Sequence, residues 1–267
     1  MSPGRTFAIV LRQYYLMRAS VSRVLPLFLW VAIDMVLWGF LSRYLDSLTG
    51  AGMGFVPKLL GAVLLWDFLT RVMQGVTIAF LEDVWSRNFL NFFATPLSVS
   101  EYVCGLVITS ILTSSVGLIV MLTLATALFG LSFFSYGLVA IPFIAILFLT
   151  GIALGILGCA MVLRLGPASE WFIWPIPILI SPFAGVFYPL SVLSVWMRAV
   201  SYALPPSYVF EGMRASLGSG TVSLGSLTVG GGLAVAYLGL AYWVFKRTYR
   251  HAIRSGLIAR YSAESVT

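Results

Sequence analysis

The chain has 267 residues, 60% of them hydrophobic and only 9% charged, and its mean hydropathy is +1.00. A soluble domain averages about 45–50% apolar and about 25% charged residues, so a water-soluble globular fold is excluded and an integral membrane protein is implied. The formal charge of +7 does not point to nucleic acid, because the basic residues flank apolar runs, as topology signals do.

Residues 6–23 are too polar to span but are periodic. Phe7, Val10, Leu11, Tyr14, Met17 and Val21 share one helical side, Arg5, Arg12 and Arg23 lie opposite, and Arg18 breaks the pattern. This predicts an amphipathic helix over 1–23 lying in the membrane interface; a plain basic anchor for topology is the alternative. Because these residues precede the first apolar run, no cleavable signal is expected.

Six apolar runs follow, at 24–42, 55–81, 102–129, 137–163, 171–190 and 226–245. Each approaches the roughly 20 residues that cross a bilayer as helix, and lipid admits only helices or closed barrels. The expected fold is therefore an all-α integral membrane protein in one domain, 1–267, with a six-span bundle over 24–245 and a basic tail over 246–267. Of the sixteen Lys and Arg, eleven fall on one side of this layout and four on the other, with Arg71 inside a span. That bias places both termini in the cytoplasm. Cys104 and Cys159 lie inside apolar runs and form neither a disulfide nor a zinc framework. Gly151, Gly155 and Gly158 form a small-residue stripe suited to close helix packing.

The first two runs carry charge. Asp34 sits midway along the first, with Trp30 and Trp38 on its face at i±4; Asp67, Arg71 and Gln74 form a polar stripe along the second. Such residues face protein or water because lipid penalises them by about 2.5–3.5 kcal/mol each. Asp34 and Arg71 fall at similar depth on antiparallel neighbours, which predicts that they pair. Whether the network only locks two helices or also lines a transport path stays open at this point.

The loop EDVWSRNFLNFFATPLSVSE (82–101) is amphipathic. Trp85, Phe89, Phe92 and Phe93 share one side of a helix and Asp83, Arg87, Asn88 and Asn91 the other, beside Glu82. Thr95-Pro96 ends that helix, and Ser98 with Glu101 predicts a capping box for the next span. The expectation is a short helix flat against the membrane, with its polar face exposed for docking or serving no partner at all. Farther on, SPFAGVFYPLSVLSVWMRAVSYALPPSYVFEGMR (181–214) stays half apolar but is too interrupted to cross. It predicts a fifth span that ends early, followed by a re-entrant helical hairpin before the last span. Irregular backbone at membrane depth must be covered by protein or line a cavity.

FATPLSVSEYVCG resembles the cytoplasmic segment of the ABC-transporter export permeases, the type-two membrane subunits. The second stretch resembles their signature as well, at Gly185, Phe187, Pro189, Leu190, Trp196, Pro205, Ser207, Tyr208 and Arg214; Ser194 departs from it, since a proline is usual there. The resemblance implies a permease of the bacterial plasma membrane with no ATPase of its own. It also implies two separate ABC ATPase subunits that bind ATP and magnesium, and a second copy of this permease or a related one. By the same resemblance Glu82, Asp83, Arg87, Asn88, Asn91, Pro96 and Leu97 would couple to the ATPase. Pro182, Phe183, Gly185, Phe187, Pro189, Trp196 and Pro205 would form an outer gate. Trp30, Asp34, Trp38, Asp67, Arg71 and Gln74 would lie on the path. Membrane lipid is a further expected partner, met by the basic tail.

No phosphate-cradling loop, H-E-x-x-H or G-x-S-x-G occurs, and the single histidine, His251, lies in the basic tail. The chain is therefore read as a transport subunit without cofactor, metal or catalytic residues. Its expected cargo is an amphipathic, lipid-like or drug-like molecule. A polysaccharide or lipid-linked glycan is one alternative, and an ion-driven transporter using Asp34 and Asp67 as proton sites is another.

Overall fold

The computed structural model describes residues 2–49, 56–86, 91–92, 94–131, 137–138, 140–218 and 223–257. The described residues form helices and turns and no strand. In chain order the α-helices are α1 Pro3–Arg18, α2 Val21–Thr49, α3 Gly61–Trp85, α4 Val99–Phe129, α5 Ala140–Leu165, α6 Glu170–Ile173, α7 Pro175–Ala184, α8 Val195–Ala203, α9 Pro205–Leu217 and α10 Leu224–Arg254. A π-helical turn, Val56–Leu60, leads into α3.

Among the described residues, five helices are long and apolar enough to cross a membrane: Val21–Leu48, Lys58–Trp85, Val99–Phe129, Ala140–Leu165 and Leu224–Arg254. The predicted run at 171–190 does not make a sixth of that length. Its helical part, Glu170–Ala184, rises only about 22 Å at 1.5 Å per residue, short of the roughly 30 Å hydrocarbon core. Proline explains the shortfall at both ends. Pro175 and Pro177 open α7 and carry no amide donor, and the helix stops at Gly185, whose φ of +67° suits a residue without Cβ. Pro182 lies inside α7 and cannot bond the Ile178 carbonyl. The Ser181 hydroxyl donates to that carbonyl instead, at 3.0 Å.

The bundle has two apolar cores. The larger joins α3, α5, α9, α10 and the first half of α4, around Phe68, Phe80, Tyr102, Phe143, Phe210 and Phe245. The glycine stripe of α5 works as its spacing predicts. A Cβ on Gly151 or Gly155 would lie 2.8 or 2.9 Å from the backbone carbonyl oxygen of Leu69 or Met73, so α5 and α3 touch backbone to backbone. The Thr77 hydroxyl, 3.1 Å from the Gly155 carbonyl oxygen, and the Ser110 hydroxyl, 2.8 Å from that of Val72, add hydrogen bonds between helices. Each such bond contributes about 0.6 kcal/mol in membranes.

The smaller core belongs to α2. Val31 and Met35 pack there with Leu60, Leu64, Met121, Ala125, Phe129 and Leu131. Arg43 holds this end by donating to the Leu128 carbonyl at 2.6 Å and lying over the Phe129 ring. The rest of α2 is largely uncovered, with Trp30, Leu37 and Phe40 each 60% exposed.

Candidate functional site

Three places carry the polar chemistry. The first is the end of the bundle where α1 meets the 82–101 loop, here the loop end. Helix α1 lies against α4, where a Cβ on Gly105 would come within 2.6 Å of the Ile9 Cβ. Thr6, Ile9 and Gln13 are buried in this contact, whereas Phe7 and Tyr14 stay exposed. The apolar side predicted for α1 thus faces outward, as an interfacial helix requires, and the arginine side turns to the protein.

Each of those arginines meets a carboxylate. Arg12 grips Asp83 with two bonds, Nη2 to Oδ1 at 2.6 Å and Nη1 to Oδ2 at 3.1 Å. The Tyr102 hydroxyl donates to the same Oδ2 at 2.7 Å. The Arg12 guanidinium also lies 4.7 Å from the centre of the Phe92 ring, which packs in turn against Tyr102. Arg23 pairs with Glu82 at 3.3 Å and Arg5 with Glu101 at 3.7 Å; Arg5 donates to the Pro96 carbonyl as well. The capping box forms as expected. The Glu101 amide donates to Ser98 Oγ at 3.3 Å and the Ser98 amide to Glu101 Oε2 at 2.9 Å, while the Ser2 amide reaches Oε1 at 2.5 Å.

This geometry corrects two expectations. Asp83 is not on an exposed polar face: α3 continues through it to Trp85, and it is 1% exposed. Its carboxylate takes three donors and supports the fold. Phe92 likewise packs inward and not toward lipid. Asn91 and Pro96 are exposed and Leu97 is half-buried. Arg87 and Asn88, with Phe89 and Phe93, lie outside the described residues. The capping box within FATPLSVSEYVCG was a legible signal. The Arg12–Asp83 partnership was not, because the two are 71 positions apart.

The second place is midway along the helices. Asp34 on α2 and Asp67 and Arg71 on α3 act on one another electrostatically, and all three are partly buried. Arg71 interacts with Asp34 as predicted, and Asp67, one turn before it on α3, interacts with both. Contact ion pairs between described residues are also made by Arg5, Arg12, Arg23 and Arg214. Gln74 is half-buried one turn below Arg71, and Trp30 is 60% exposed. Trp38 stacks on Phe187, with centroids 5.3 Å apart. That stack joins the charged helix to the hairpin.

The third place is the hairpin of α8 and α9 at the opposite end. Pro205 opens α9 and is buried, and Phe183 packs edge-on against exposed Trp196 at 6.0 Å. Arginines hold the irregular backbone. Arg214 donates to the Gly185 carbonyl at 2.6 Å and pairs with Glu211 at 3.0 Å, and Glu211 accepts the Leu190 amide at 2.8 Å. Arg198 donates to the carbonyls of Leu190, Ser191 and Leu193, at 3.2, 2.9 and 3.1 Å. Tyr188 and Tyr208 donate to the carbonyls of Pro182 and Tyr202. Backbone carbonyls at these helix ends and turns thus find side-chain donors. Glu211 and Arg198 were missed as partners, although Glu211 and Arg214 stand at helical i, i+3 spacing.

Long apolar helices, a glycine-packed bundle and a hairpin that turns back into the apolar zone define a multi-pass membrane protein. The family model for the ABC-2 type transporter matches residues 6–217, from α1 through the hairpin, and the chain belongs to that family. No curated protein matches it. The chain is accordingly a membrane subunit of an ABC exporter, a kind of subunit that associates with ABC ATPases.

Proposed function

We propose that two copies of this chain form the membrane path of an exporter, with two ABC ATPase subunits bound at the loop end, in the cytoplasm. On this reading both termini are cytoplasmic, the protein resides in a bacterial plasma membrane, and ATP and magnesium are held by the ATPase alone. The cargo is an amphipathic, lipid-like or drug-like molecule that leaves the inner leaflet along α2 and passes the hairpin.

The observation that carries the coupling is the junction at the loop end. Force applied to the exposed Asn91 and Pro96 reaches α3 through the Asp83–Arg12–Tyr102 contacts and α4 through Glu101. Broad exposure of α2, where Trp30, Leu37 and Phe40 stand uncovered, supports a second copy facing it. The sparse charge of the spans favours amphiphiles over long glycans.

The test is reconstitution with an ABC ATPase that co-purifies with this chain. ATP-dependent movement of a fluorescent short-chain lipid across proteoliposomes, abolished by a hydrolysis-dead ATPase, is the expected result. Movement that ignores ATP but follows an imposed proton gradient would replace this reading with the ion-driven one.

A further inference from the structure

Away from their ends, the predicted runs 24–42, 55–81, 102–129, 137–163, 171–190 and 226–245 carry three charged residues, Asp34, Asp67 and Arg71; Lys58 stands at the start of the second. Asp34 lies near the midpoint of α2, which has 29 residues, and Arg71 near that of Lys58–Trp85, which has 28. Two carboxylates share one guanidinium, so the apolar interior carries one negative charge more than it balances. Charge in that position is costly and normally meets a partner.

A second observation says what is missing. Asp67 Oδ2 is fully buried and has no hydrogen-bond partner among the described residues. A cationic group from outside would answer both deficits. The surroundings suit the cation of an amphiphile better than a bare metal ion, which needs several oxygen ligands. Trp30 and Trp38 stand one turn to either side of Asp34, and indole faces attract cations. Along the same helix the exposed side chains are apolar: Ile33, Leu37, Phe40 and Leu41.

We infer that the mid-membrane cluster recognises the positive group of an amphiphilic cargo. The cation completes the charge balance among Asp34, Asp67 and Arg71, and the apolar body lies along the tryptophan-bearing face of α2. The inference rests on the exporter reading and narrows its cargo from amphiphiles in general to cationic ones.

Tetraphenylphosphonium and tetraphenylborate test it, being nearly equal in size and shape, opposite in charge and free of titratable groups. Binding of each is measured to the full chain in nanodiscs of neutral phosphatidylcholine, without ATP or ATPase. The cation should bind saturably in competition with other lipophilic cations, and the anion should not. Asp34→Asn and Asp67→Asn, which keep the side-chain shape, should each weaken cation binding at least tenfold. Either variant suffices if the other does not elute as a single species. Equal binding of the two ions, binding of neither, or cation affinity within twofold of wild type in the variants would overturn the proposal. Those outcomes leave the exporter reading standing, because ATP-dependent lipid movement judges it separately.

Discussion

The loop end and the hairpin end both rely on arginine, but they use it differently. At the loop end, Arg5, Arg12 and Arg23 reach from α1 and the start of α2 to carboxylates on α3 and α4. They join pieces of chain that are far apart in sequence. At the hairpin end, Arg198 and Arg214 donate chiefly to backbone carbonyls, replacing bonds that a continuous helix would have made. The first use ties distant elements together; the second holds a turning backbone in place. Arg12 spends both arms of its fork on one carboxylate, whereas Arg198 spreads its donors over three carbonyls.

The largest effect is expected where the junction is most buried. Asp83→Asn removes the carboxylate that takes three donors and leaves Arg12 without its counter-charge. Breaking a buried pair costs roughly 3–5 kcal/mol. The Arg12 side chain keeps 28% exposure, so water should reduce this to about 2–3 kcal/mol, read as a fall in the unfolding temperature of the purified chain. Adding Arg12→Met should recover about half. If the double variant is no better than the single one, the junction is not held by this pair.

Gly105→Ala comes next. The new Cβ must displace Ile9, at a cost of roughly 1–3 kcal/mol for overpacking, and Ile9→Ala in the same chain should relieve it. Absence of relief would mean that α1 does not rest on α4 at this point. At the other end, Arg198→Lys sharpens the contrast. It preserves charge but loses the fork, so hydrogen exchange at residues 190–194 should speed up by about 1–2 kcal/mol of local stability. Protection equal to wild type would mean that charge alone holds the hairpin. The smallest effect belongs to Glu82→Gln. Its pair with Arg23 is about one-third exposed, and such pairs are worth about 0–1 kcal/mol. A loss beyond that in the same melting measurement would make the Arg23 link part of the strut.

The sequence made much of this fold legible. Hydropathy alone requires a helical membrane bundle, because lipid leaves unsatisfied backbone no partner. The glycines of α5 and the capping box at Ser98 and Glu101 were readable, since each depends on neighbours within about one helical turn. The prolines of 174–190 announced an interrupted helix for the same local reason. The expected early end of the fifth span is seen at Gly185, and the helix before it, Glu170–Ala184, is shorter than the five long ones.

Tertiary structure decided the rest, through contacts between residues distant in the chain. Periodicity put Asp83 on a polar face and therefore in water. Packing of α1 across α3 and α4 buried it instead, because Arg12 and Tyr102 arrive from 71 and 19 positions away. The sequence showed three charges midway along the first two spans, but only the fold left one oxygen of Asp67 buried without a partner among the described residues. Local rules determine which segments are helices and where they stop. Which charges meet depends on how those helices are laid side by side, and spacing along one chain carries no record of that.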